Sequence, residues 1–158
     1  MRRHILLLAL GLSPALGWSP ALAMSVAPAQ AGSTTDTPSA LPPADRAAIQ
    51  GVIQNQIGAF GRHDDAAAFA YASPGIQSQF GDAATFGAMV RRGYQPVYLA
   101  RRVHFGALLA VHGRTVQKVE LIGPDGVPSL AFYFMERERD GTWRIDGCII
   151  APARAEGT

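Results

Sequence analysis

The chain has 158 residues, a formal charge of +2 and a single cysteine. Fourteen basic residues stand against twelve acidic ones, and the two arginines near the N-terminus account for the whole excess, so the remainder is neutral and lacks the clustered positive charge that displaces counterions from phosphates. That balance argues against nucleic acid as a partner, and the lone Cys148 cannot close a disulfide within its own chain, which leaves packing alone to hold the core.

The first residues read MRRHILLLALGLSPALGWSPALAMSVAPAQAG, with Arg2 and Arg3 ahead of an apolar run and small-residue cleavage patterns ending at Ala23 and Ala31. This is the pattern of a signal peptide over 1–31, with a cut after Ala23 as the alternative, and it implies a periplasmic or secreted protein. A membrane anchor is the competing reading. The run from Ile5 to Trp18 is interrupted by Gly11, Pro14 and Gly17 and is shorter than the roughly 20 apolar residues a span requires, so no membrane span is expected in the mature protein. Residues 32–44, rich in Pro, Ser and Thr, read as a flexible leader. The domain is expected over 45–152, with 153–158 as a tail, and about 110 residues are enough for one core.

Asp45 follows Pro42 and Pro43 and is placed to cap a helix, because a short carboxylate accepts the free N–H groups of a first turn. Beyond it Ile49, Val52, Ile53, Gln56, Ile57 and Phe60 recur at spacings of three and four, the stripe of an amphipathic helix. Gly51 and Gly58 on that helix suggest the close approach of another backbone, and Gly61 is the expected stop. Asp64 caps a second, short helix with Phe69 as its apolar contact. Ser73-Pro74 begins what reads as a single turn, and Asp82 opens a third helix whose Phe86, Met89 and Val90 share a face.

From Val97 the pattern changes to period two, broken by His112-Gly113, Gly123-Pro124-Asp125-Gly126 and Asp140-Gly141. These are hairpin turns between strands at 101–111, 114–122, 128–139 and 142–150, since the central residues of a type I′ turn need positive φ. Three helices followed by an antiparallel meander imply an α+β domain with helices on one face of the sheet. In the strand SLAFYFMERER both faces are apolar at the centre; one is for the helices, and the other suggests a homodimer formed through the sheet. On the last strand Trp143 and Ile145 share one face, and Arg144, Asp146 and Cys148 the other, unless a bulge at Gly147 reverses the order.

The mature chain keeps His63, His104 and His112, at no metal-ligand spacing, and neither a metal nor a cofactor is expected. Cys148 lacks an obvious base and reads as a small core thiol. General acid/base chemistry is the sharper possibility, because His104 and Asp146 each interrupt an otherwise apolar strand, and a carboxylate or imidazole in a dry pocket has its pKa moved towards the working pH. Both are candidate bases, with Tyr94, Tyr98 and Tyr133 as hydrogen-bonding neighbours and the five together as candidate ligand-binding residues. The alternative is a solvated outer face that carries Arg102, His104, Arg144 and Asp146.

Three stretches carry a family resemblance: Ala72-Ser73-Pro74-x-Ile76-Gln77-x-x-Phe80-Gly81, Met89-Val90-x-x-Gly93-Tyr94-x-x-Val97-Tyr98, and Trp143-Arg144-Ile145-x-Gly147-Cys148. Through them residues 47–152 resemble an uncharacterised bacterial family, the domain of unknown function numbered 4864. The resemblance departs at Asp146, where the family pattern carries Asn. Such domains are similar to the nuclear transport factor 2-like superfamily, which includes ketosteroid isomerases and SnoaL-type cyclases. The likeness implies a cone of three N-terminal helices packed on a curved antiparallel sheet of four or more strands. It implies no activity, because one fold hosts many functions.

The expectation is therefore an exported protein whose cone holds a small apolar ligand or a peptide without catalysis. An isomerase- or lyase-type enzyme using His104 or Asp146 as general base is one alternative; a structural partner of an envelope protein is another.

Overall fold

The structure, a computed structural model, describes residues 37–38 and 40–153. The expected signal peptide with both of its cleavage positions, residues 32–36 of the leader and residues 154–158 of the tail lie outside the described residues. The described chain is α+β: five helices are followed by four long antiparallel strands, with a two-residue strand at the sheet edge.

The helices are α1 (Pro43–Gly61), α2 (Asp65–Ala70), α3 (Pro74–Phe80), α4 (Ala83–Gly93) and α5 (Gln95–Tyr98), two more than the spacing of apolar residues suggests. The extra pair has local causes. Ser73 accepts the Ile76 N–H at 3.2 Å with Pro74 at the first helical position, so this segment is a helix of its own rather than a single turn. Pro96 sits in the first turn of α5, which makes Val97 and Tyr98 helical where period two was expected to begin. Asp64 and Asp82 cap α2 and α4 as anticipated, accepting from Ala67 at 2.9 Å and from Thr85 at 2.7 Å.

At α1 the capping expectation is corrected. The helix begins at Pro43, two residues before Asp45, and Pro42 at the cap has no side-chain acceptor to offer. The Asp45 carboxylate instead accepts the Trp143 indole N–H at 3.1 Å and pairs with Arg137 at 3.5 Å, tying the first turn of α1 to the far end of the chain. The helix stops at Gly61 as expected, but the left-handed residue that closes it is His63, φ 59°. No close backbone approach explains the other two glycines: a Cβ at Gly51 would meet nothing within 4 Å, and one at Gly58 only the Arg62 side chain.

The sheet runs in chain order: β1 (Thr37–Pro38), β2 (Arg102–Val111), β3 (Arg114–Ile122), β4 (Pro128–Arg137) and β5 (Trp143–Pro152). β1 falls within the stretch read as a leader and pairs with Ala110 and Leu109 of β2. His112 and Gly113 both take positive φ, 49° and 76°, as a two-residue hairpin turn demands. At Asp140-Gly141 only Gly141 is positive, at 86°, because this loop is longer and closes through Glu138 N–H to Thr142 O at 2.8 Å.

Bulges interrupt β2 between Phe105 and Leu108 and β5 at Asp146. The first is filled by the Gln117 amide, which is wholly buried and donates to the carbonyls of Gly106 at 2.9 Å, Ala107 at 3.3 Å and Lys118 at 2.8 Å. Bulges add twist and bend a strand. One sheet face is covered by α1, α3 and α5. Ile49, Ile53, Phe60, Val119 and Ala131 meet there with 0–1% exposure, and full burial of a large apolar side chain contributes about 1.5–3 kcal/mol.

Candidate functional site

Register decides what faces the helices. Leu108 pairs with Gln117, Gln117 with Tyr133, and Tyr133 with Cys148, so these four form one row across β2 to β5 on the covered face. Directly opposite residues in antiparallel strands share a face. Cys148 belongs to this row only because of the second bulge: Phe134 is opposite Gly147, Met135 is opposite Ile145, and Asp146 is the extra residue between them. The reversal expected from a bulge at Gly147 is what the pairing shows.

Between the Tyr133–Cys148 end of this row and the helices lies a cavity of about 230 Å³. Its deep wall is made by Gln56, Ala72, Tyr133 and Ile145, all buried, and its outer wall by half-buried Ile76, Phe80, Met89 and Tyr94, with exposed Gln79 at the mouth. Phe86, Val90 and Val97 complete the apolar lining, and no charged side chain belongs to it.

Tyr133 is 1% exposed, and its hydroxyl has no hydrogen-bond partner among the described protein groups. The Cys148 thiol is near enough to act on its ionisation without reaching the geometry of a hydrogen bond. Burial, and then the neighbouring thiol, push the Tyr133 phenol well above its ordinary range. Burial likewise pushes the Cys148 thiol up to about 12, partly opposed by Tyr133. Cys148 as a whole is half-buried and lines the cavity. Both groups are neutral at physiological pH, and a thiol held so far from its thiolate is a poor nucleophile.

Of the five residues singled out in the sequence, the cavity takes two, Tyr94 and Tyr133. Tyr98 buries its ring against Phe60, with centroids 5.2 Å apart, but its hydroxyl leaves the cavity to donate to Asp65 at 3.2 Å and accept from Arg91 at 3.0 Å, with His63 at 3.3 Å. His104 is exposed and pairs with Glu120 across β2 and β3 in a row on the uncovered face. Asp146 turns away from the cavity: its carboxylate accepts from Ser73 Oγ at 2.8 Å and from Arg114 at 2.6 Å, and Arg114 lies over the Phe134 ring at 4.5 Å. Beside it, Glu136 has its carboxyl raised by burial and then by the negative charges of Asp146 and Glu138. His104 and Asp146 thus lie on the far side of the sheet from Tyr133, and neither shares the cavity with the tyrosines.

The helical lining was not assigned to a site from sequence. Gln56 is the member with a usable signal, a polar residue on the apolar stripe of α1; its amide donates to Ala68 O at 3.2 Å from a buried position. Among the described residues no three His, Cys, Asp or Glu side chains gather where they could hold a metal ion, and no helix is long and apolar enough to cross a membrane.

Comparison with curated proteins and with solved structures gives no match. Residues 42–158, about three quarters of the sequence, match the family described as Domain of unknown function (DUF4864), and the chain belongs to that family.

Proposed function

We propose that the domain is a non-catalytic binding module for a small, mostly apolar molecule held in the cavity between the helices and the strand residues Tyr133, Ile145 and Cys148. The observation that carries this reading is the cavity itself: about 230 Å³, apolar on most of its wall, with a buried hydroxyl that has no protein partner. The likeness to the nuclear transport factor 2-like superfamily, whose members carry an internal pocket, supports it. The reading as an isomerase or lyase is weaker, because a base must reach the bound molecule; His104 and Asp146 face elsewhere. The test is mass spectrometry of organic extracts of the purified protein. A small molecule recovered in near-stoichiometric amount and lost from Met89→Trp, which fills the cavity, is the expected result; recovery undiminished from that variant would refute cavity binding.

The protein is also proposed to be exported, on the residues 1–31 alone. Mass spectrometry of the product from a cell fraction outside the cytoplasm should find a new N-terminus after Ala31 or Ala23.

Pairing of two copies through the uncovered sheet face is the proposal for assembly. Ile149 is 56% exposed and lies opposite half-buried Phe132, with Lys118 and Glu120 alternating on the same face, a pattern that a two-fold axis can satisfy with itself. Light scattering should give twice the chain mass for the wild type and the single mass for Ile149→Asp. A single mass for both leaves that face to an envelope partner.

A further inference from the structure

Resting on the reading of the cavity as a binding site, we infer that its ligand is an uncharged molecule of ring size that presents one hydrogen-bond acceptor, such as a carbonyl or ether oxygen, to the Tyr133 hydroxyl.

Size comes from volume. An apolar cavity of about 150 Å³ accommodates benzene, so one of about 230 Å³ holds about nine heavy atoms by proportion. Charge comes from the lining, which offers Gln56, Gln79, Tyr94, Tyr133 and Cys148 as its polar residues and neither a cation nor an anion. An ionised ligand placed there would lose its hydration and gain no counter-charge in return.

The acceptor follows from what the hydroxyl lacks. A phenol buried at 1% exposure and left unpaired carries the desolvation cost of a polar group, which a partner would remove. Cys148, opposite Tyr133 on β5, is held as a thiol, and its sulfur offers the phenolic O–H only a weak acceptor outside hydrogen-bond geometry. The unused capacity is therefore the phenolic O–H, and a donor seeks an acceptor. Gln56 shares the deep wall, but its amide N–H is already committed to Ala68 O, and Tyr94 stands on the outer wall.

The test uses acetophenone, its isostere α-methylstyrene, in which the carbonyl oxygen is replaced by a methylene, and benzoate, all of like size. Each is titrated into the full protein and into Tyr133→Phe while the Met89 methyl resonance is followed, with circular dichroism confirming the fold of the variant. Tyr133→Phe should weaken acetophenone about five- to tenfold, the factor of one neutral hydrogen bond, and leave α-methylstyrene within about twofold. Benzoate should bind at least about tenfold more weakly than acetophenone to the wild type. If both neutral probes bind but the variant treats them alike, the cavity is a binding site and the acceptor inference is overturned. Benzoate binding as tightly as acetophenone overturns neutrality. If no probe moves the Met89 methyl, binding in the cavity fails and this inference with it.

Discussion

Asp146 and Cys148, two residues apart on β5, occupy opposite faces of the sheet: the carboxylate reaches Ser73 and Arg114, while the thiol lies opposite Tyr133 beside the cavity. One unpaired residue in the ladder separates a surface ion pair from a buried neutral pair. Two chemistries that the chain places side by side are thereby kept out of contact.

Cys148 should be nearly inert in the native protein. With its thiol pushed up to about 12, the thiolate fraction at pH 8 is on the order of 10⁻⁴. Iodoacetamide labelling followed by mass spectrometry should be slow in buffer and complete in guanidinium. The raised value also has a sign for stability: the folded state holds the proton more tightly than the unfolded one, so this contribution is intact below pH 9 and lost as pH rises towards 12. The urea midpoint of wild type should fall over that window more steeply than that of Cys148→Ala.

Tyr133→Phe should leave the ligand-free protein as stable as wild type or about 1 kcal/mol more stable, because it removes a buried hydroxyl that makes no hydrogen bond. Urea denaturation checks this. A loss above 1 kcal/mol would mean that the hydroxyl is satisfied within the folded chain.

Ser73→Ala should destabilise more than Asp146→Asn. Ser73 is fully buried, caps α3 and donates to Asp146, so its removal costs about 1–2 kcal/mol. Asp146→Asn keeps an acceptor for Ser73 and loses only a half-exposed ion pair with Arg114, worth about 0–1 kcal/mol. Neither change should alter binding of a neutral probe, since both residues lie outside the cavity.

Gly87→Ala has a sign set by Asp65. A Cβ at Gly87 would fall 2.1 Å from the Asp65 carboxyl carbon, and that carboxylate is held by Arg91 at 2.6 Å and Tyr98 at 3.2 Å. Alanine should therefore cost about 1–3 kcal/mol despite its better helix propensity. In an Asp65→Ala background the clash is gone, and the same substitution should stabilise by up to about 1 kcal/mol. Thermal melts of the four proteins in the cycle decide it.

Much of the fold was written in short-range chemistry. Asp64, Ser73 and Asp82 cap their helices because a side-chain oxygen three residues from an N–H needs no tertiary partner. The turns at His112-Gly113 and Asp140-Gly141 and the period-two segments likewise place the strands of a meander. Asp45 was misread by the same logic: its carboxylate serves Trp143, 98 residues away, a pairing that no local rule contains.

The sequence by itself determined that helices precede strands, the antiparallel connection of the four long strands and the balance of charge beyond residue 31, since these depend on composition and on residues within one turn of each other. Only the tertiary structure decided that Tyr94 and Tyr133 share a cavity while Tyr98, His104 and Asp146 do not. The physical reason is register: a single bulged residue exchanges the faces of a strand, and a cavity is bounded by side chains whose meeting depends on every register before it.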